Sequence, residues 1–330
     1  MNRRKANVGQ EPTAASKLPS RPDHWSAPFT NELKLKRCPH PCSHMTAYYL
    51  TKIVSSPAPL LAICESESTS LRASMDCLIH VLFIEEKYDF IIQNQIDLGK
   101  ALVACGDLPN EETAYRYAKS EINRHFANVL TTTRLYIDQG KRFGKKLDRL
   151  FGEPLVQFEK RTNQQYDLKL GYRVMEALRN FVQHRGDAVH HVVFDAHKEF
   201  DGQTMRIVKR TDTYLDPVEL RREKKFKSEV LKELDELKIL RTAEEFLQEY
   251  LQGLRIIHEE FRASTREKIA QSEACITDAF ERYRAIAGDV IGLQAVEANE
   301  DGGVKRSFSV LHAPIVMRKF YESKNLSSIS

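Results

Sequence analysis

Met75-Asp76-Cys77-Leu78-Ile79-His80-Val81-Leu82-Phe83 is the stretch that decides the fold class. Met75, Leu78, Ile79, Leu82 and Phe83 recur at steps of three and four, the repeat of one helix face and not the alternation of a strand. The pattern runs from about Ser70 to Ala104, with a break expected near Lys87 that would divide it in two. Gly106 and Pro109 close it. Asn110 then reads as the cap of a second long helix, with Glu111 and Glu112 in its first turn, where the helix dipole favours acids. Ile122, Phe126, Val129, Leu130 and Leu135 carry that helix towards Leu150.

A third helix is expected over about 168–185, with Val174, Leu178, Phe181 and Val182 on one face and Gly186 ending it in a left-handed cap. The period then changes. Val189, His191, Val193 and Asp195 alternate, Asp201-Gly202 is a turn signal, and Thr204 to Tyr214 offers a second alternating run, so a small β-hairpin is predicted. Asp216-Pro217-Val218-Glu219 combines a cap, Pro at the first helical position and an acid in the first turn. Helical periodicity continues from there almost to Ala287, in stripes Val230, Leu234, Leu237 and Phe246, Tyr250, Leu254, Ile257. Arg241-Thr242 is expected to separate two helices, and Ala263-Ser264 to start a third. From Gly288 the pattern is less regular and ends in a polar, Ser-rich tail.

Residues 1–45 read as a disordered tail. Pro12, Pro19, Pro22, Pro28, Pro39 and Pro41 interrupt them, and too few apolar side chains are present to offset the entropy of ordering. Met45 is an alternative start. Of the 330 residues, 42% are hydrophobic and 29% charged, ordinary values for a globular chain. Lys and Arg total 50 against 46 Asp and Glu, so any nucleic-acid contact must be local. Six scattered cysteines argue against a disulfide framework and for a reducing, cytoplasmic setting. No apolar stretch follows Met1-Asn2-Arg3-Arg4-Lys5, so no signal peptide is expected. The longest apolar run, Cys77 to Ile84, is too short to span a bilayer, and no membrane partner is expected.

One segment carries chemistry: Met175-Glu176-Ala177-Leu178-Arg179-Asn180-Phe181-Val182-Gln183-His184-Arg185-Gly186. Arg179 is permanently charged and can fork onto phosphate oxygens. A histidine titrates near neutral pH, which suits His184 to proton transfer. Asn180 can position a phosphate or orient His184. At about 100° per residue, Asn180 and His184 lie about 40° apart around a helix, but Arg179 and His184 about 140° apart. One helix therefore does not close a pocket from all three. Arg-to-His spacings also occur at Arg185 with His190 or His191, Arg306 with His312 and Arg37 with His44. Only Arg179 has a polar residue after it, an amphipathic helix around it and a helix-ending glycine.

These residues resemble the signature of the HEPN superfamily, an Arg followed by a polar residue and, after four to six intervening positions, a His. The likeness covers about 110–190. It implies a mainly α fold: a HEPN-like helical bundle over 46–200, with the small hairpin and a helical C-terminal extension over 201–330, packed on the first part. It implies a metal-independent endoribonuclease of a toxin or defence system, in which the ribose 2′-OH attacks the adjacent phosphate to leave a 2′,3′-cyclic phosphate. Arg179, Asn180 and His184 would be catalytic, and Tyr172, Arg173 and Arg185 would contact substrate, with no cofactor and no metal. The partners implied are RNA, a second copy that completes the cleft, and an inhibitor or antitoxin protein. The alternative is a non-catalytic HEPN-like interaction module, since an Asn and a His at a helix end also serve simply as caps.

Three other clusters stand out. Cys38-Pro39-His40-Pro41-Cys42-Ser43-His44 has four metal-ligand types at a spacing unlike a structural zinc site. His191, Asp195 and His197 are even-spaced on one strand face and of types that hold a catalytic metal. Lys141-Arg142-Phe143-Gly144-Lys145-Lys146 is the most basic patch and a candidate RNA contact, although such runs are usually solvated faces. No Gly-rich phosphate loop or Ser nucleophile elbow is found.

Overall fold

The computed structural model describes residues 47–52, 58–109, 111–184, 186–200, 202–222, 226–237 and 239–327. The tail, Met45, the Cys38–His44 cluster, Asn110, Arg185 and Asp201 lie outside the described residues. The fold is mainly helical with two small antiparallel sheets. Strands β1 (Ala47–Lys52) and β2 (Leu61–Ile63) lead into α1 (Glu65–Gly106). Helices α2 (Glu112–Phe151), α3 (Phe158–Leu168) and α4 (Leu170–His184) follow. The hairpin β3 (His191–Phe200) and β4 (Met205–Tyr214) comes next, then the short helices α5 (Pro217–Arg221) and α6 (Ser228–Asp235). The long α7 (Ala243–Ala287) precedes β5 (Leu293–Ala298), β6 (Val304–Ser309) and α8 (Ala313–Ser327).

Three helices of 40 or more residues set the frame. At about 1.5 Å per residue each is about 60 Å long, far beyond what propensity alone stabilises, so packing must hold them. Helices α1 and α2 form a hairpin, and α7 lies against α1, α3 and α4. Their shared core is apolar: Leu78, Val81, Ile122, Phe126, Leu254, Ile257 and Phe261 are fully or almost fully buried. No helix is long and apolar enough to cross a membrane among the described residues.

The expected break near Lys87 does not occur, and α1 runs through it. Glu85 and Glu86 resemble a stop in the sequence, but Glu85 is wholly buried and paired inside the bundle, while Lys87 lies beside Glu86 and over the Phe90 ring. Nor does a helix begin at Ala263-Ser264. The Ser264 and Thr265 hydroxyls donate back to the Phe261 carbonyl within the continuous α7, which removes their competition with the helix. The separation at Arg241-Thr242 is real. Thr242 Oγ1 accepts from the Glu245 N–H at 3.2 Å, and Glu245 Oε2 accepts from the Thr242 N–H at 2.7 Å, a reciprocal capping box. Thr242→Ala is expected to cost about 1 kcal/mol in denaturant unfolding; a cost within a few tenths would mean that packing alone starts α7.

The sheets occupy opposite ends of the bundle. The four-stranded sheet, in the order β2-β1-β5-β6, sits where α1 begins and α7 ends, tied there by Lys52 to Asp289 and by the Tyr283 hydroxyl to the Pro59 carbonyl. Sequence periodicity did not show β5, β6 or α8. The β3–β4 hairpin sits where α1 ends and α7 begins. The Thr213 hydroxyl donates to Glu244 at 2.9 Å, and Lys209 pairs with Asp107. The division placed at 200/201 falls between these two strands.

Candidate functional site

Helix α4 is amphipathic. Val174, Met175 and Leu178 are fully buried and Phe181 nearly so, which leaves Asn180, Gln183 and His184 on the outer side at its C-terminal end. Arg179 is half-buried, and its Nη1 donates to Asn180 Oδ1 at 2.9 Å. Its Nε is buried with no hydrogen-bond partner. Arg179 forms no ion pair among the described residues, unlike Arg134, which meets Asp138 and Glu176, and Arg173, which meets Glu233.

Two of the expected substrate contacts are corrected. Tyr172 is buried, its ring edge-on to Tyr250 at 4.7 Å between centroids and to Tyr166 at 6.2 Å; burial drives its hydroxyl far above the ordinary tyrosine range. It is core, placed there by the apolar face of α4. Arg173 is committed to the Glu233 carboxylate and to the carbonyls of Tyr166 and Asp167 at 3.0 and 2.9 Å. It joins α4 to α6 and to the end of α3.

The chain after α4 is held by α2. Asn123 accepts from the Val189 N–H at 2.8 Å and donates to the Val189 carbonyl at 3.1 Å. This clamp fixes His190, whose Nδ1 accepts from the Asp216 N–H at 3.0 Å. An accepting Nδ1 leaves the proton on Nε2 in the neutral ring, and that nitrogen is buried without a partner. Burial chiefly, with Lys119 and His191 assisting, pushes the His190 pKa down against Asp216 and Glu219.

The other clusters are partly neutralised. His191 turns to Asp216 at 3.6 Å, while Asp195 meets His197 at 3.2 Å. No group of three or more metal-ligand types is assembled among the described residues. In the basic patch, Lys141 and Lys145 share Glu159, and Arg142 and Lys146 flank the Phe143 ring.

Two features were not read from the sequence. Glu85 accepts from both Nε and Nη2 of Arg262, at 2.9 and 2.6 Å, and lies 3.1 Å from His258 Nε2. His258 Nδ1 is 3.1 Å from the Tyr136 hydroxyl, and Tyr88 stacks flat on the imidazole at 3.8 Å. A carboxylate only accepts, so Nε2 carries the proton and Tyr136 donates to Nδ1. The second feature is a cleft of about 740 Å³ between α1 and α7, floored by Ile91, Ile92, Leu247 and Leu251 and edged by Gln95, Glu244 and Gln248. The Glu85 cluster is assembled from residues some 170 positions apart, and the cleft likewise joins two distant helices, so no local spacing announces either. The chain matches no protein-family model, no curated protein and no solved structure.

Proposed function

We propose that this chain is a metal-independent endoribonuclease of HEPN type, acting as a homodimer through the C-terminal end of α4. The observation that supports this reading is Arg179: a guanidinium that meets no carboxylate among the described residues, steadied by the Asn180 side chain, on the helix end that exposes His184. Cleavage needs a base for the ribose 2′-OH, an acid for the leaving 5′-oxygen, and a cation for the charge that builds on phosphorus. As O2′ attacks phosphorus and the P–O5′ bond breaks, one proton leaves O2′ and another reaches O5′. His184 serves one of these transfers and the partner's His184 the other, which is why one copy is not enough. Arg179 forks onto the phosphate, and the Asn180 amide nitrogen, free of the contact with Arg179, positions it. An inhibitor or antitoxin protein that covers the α4 end would silence the activity.

The test is cleavage of mixed RNA in the presence of chelator, followed by analysis of product ends. His184→Ala is expected to lower the rate by about 10²- to 10⁴-fold with an unchanged melting temperature, because His184 is exposed. Products from the wild type should end in 2′,3′-cyclic phosphate. Cleavage that survives the substitution, or that needs a metal, defeats the reading. A second reading, a non-catalytic helical interaction module, is favoured by the α1–α7 cleft, which takes no residue from α4. A folded wild-type dimer that cleaves nothing would select it.

A further inference from the structure

The β3–β4 ribbon is regular from His191↔Tyr214 to Phe200↔Met205. Residues directly opposite one another share a face. Val192, Phe194, Ala196, Lys198 and Phe200 therefore lie on the same side as Thr213, Thr211, Lys209, Ile207 and Met205. The inner half of that face rests on the body of the protein. Val192, Thr211 and Thr213 are buried, and Phe194 meets the Tyr115 ring edge-on. The outer half has no such support: Phe200, Met205 and Ile207 are 63, 61 and 67% exposed. A lone two-stranded ribbon is marginal in water, and three large apolar side chains grouped on one face mark a contact surface.

We propose that this hairpin tip docks in the α1–α7 cleft of a second copy of the chain. The cleft presents an apolar floor of the kind that the tip needs, and its edge carries Glu244. The Glu244 carboxylate takes hydrogen bonds from Thr213 but meets no cation among the described residues. On the tip, Lys198 stands on the docking face beside Phe200 and has no ion-pair partner among the described residues. Lys198 of one copy and Glu244 of the other thus complement each other as the apolar surfaces meet.

The tip cannot serve its own cleft. The base of the hairpin is fixed beside that cleft through Thr213 and Glu244, and the ladder carries no bulge that would turn it back. From Val192 to Phe200 the ribbon extends about 26 Å at about 3.3 Å per residue. Charge also argues against a nucleic acid or an anionic lipid at the tip. Lys198, Arg206, Lys209 and Arg210 are matched by Asp195, Glu199, Asp201 and Asp212. Reciprocal exchange fills both clefts about one two-fold axis. The pairing goes beyond the nuclease reading and stands or falls without it.

Two measurements test it. The first is sedimentation equilibrium of the wild type against Phe200→Asp/Ile207→Asp, which alters exposed positions only. The wild type is expected to be a dimer, and the variant to associate at least 100-fold more weakly with an unchanged helical circular dichroism signal. The second mixes two chains that each carry one added cysteine, Ile96→Cys or Ile207→Cys, in a background lacking Cys38, Cys42, Cys64 and Cys275, which leaves only the buried Cys77 and Cys105. Oxidation should give a covalent dimer from the mixture and not from either chain alone. A monomeric wild type, a dimer indifferent to the double substitution, or a mixture that does not cross-link would overturn the proposal. So would a monomer whose tip binds phosphatidylserine vesicles and loses them in the double variant.

Discussion

Glu85→Ala should lower the unfolding free energy by about 3–5 kcal/mol, the cost of removing one partner from a buried ion pair and stranding the other. Arg262 would keep its charge with its main acceptor gone, and His258 would lose the acceptor of its Nε2–H. Urea unfolding at pH 7.5 measures the loss. The companion Glu85→Leu/Arg262→Met, which removes both charges, should recover more than half of it; a single-variant loss under about 1 kcal/mol would show that water reaches the cluster.

The same cluster sets an acid response. Burial pushes the Glu85 pKa up, but His258 and Arg262 outweigh it and hold the carboxyl at about 2. A depressed carboxylate contributes stability above its ordinary value of 4.5, and this contribution is lost as pH falls from there towards 2. His258 shifts down as well, through burial first and Arg262 second, against the pull of Glu85 and Glu322. Its unfolded form takes up a proton below the ordinary 6.5 while the folded form resists, so stability also falls as pH drops through that range. Both effects have one sign. The urea midpoint of the wild type should decline from pH 7.5 to pH 5.5 and more steeply below 4.5, and a flat profile would contradict the assignment.

Gly171→Ala is the second large effect expected. A methyl group there would stand 2.5 Å from the Phe246 carbonyl oxygen and 2.7 Å from Glu249 Cβ. The nearest obstacle is the backbone of α7, which has no rotamer to yield. Exchanging glycine for alanine inside a helix normally gains about 0.5–1 kcal/mol, but overpacking of this kind costs about 1–3 kcal/mol or more. A net loss of about 2 kcal/mol is expected by thermal or urea unfolding, together with weakening of the bond from the Gly171 N–H to Glu249. Because α4 is displaced from α7 at its first turn, the proposed nuclease activity should fall as well, even though His184 is untouched. A neutral or stabilising result would mean that the two helices separate freely.

Much of the helical frame was legible because its signals are local. Met75 and Leu78 repeat along one face of α1 and Ile122 and Phe126 along one face of α2, Asp216 caps α5 by accepting from the Val218 N–H, and Thr242 opens α7. What stayed hidden depends on distant partners. Helix α3, with its Glu-Lys-Arg-Thr-Asn-Gln-Gln run, shows almost no apolar stripe and is anchored by Phe158, Thr162 and Gln165. Strand β5 is short and Ala-rich, and its pairing partner β1 lies at the far end of the chain. The α4 end was legible for a similar reason: exposure of Asn180 and His184 follows from the same periodicity that buries Leu178. Tyr172 and Arg173 were misplaced because their neighbours, Tyr250 and Glu233, come from helices formed some 60 to 80 positions later.

The pairing of β1 with β5 also governs when the molecule can be finished. Lys52 and Asp289, which close that corner, are 237 positions apart. A ribosome adding about 5–20 residues per second needs roughly 10–50 s to travel between them. Through that interval β1 has been made while the strand that covers its long edge has not. The helices α1, α2 and α4 can assemble as they emerge, but the sheet must wait until β5 has been made. The segment from β5 to α8 therefore acts as a latch on helices made before it, and its arrival covers the edge of β1 that stands open until then.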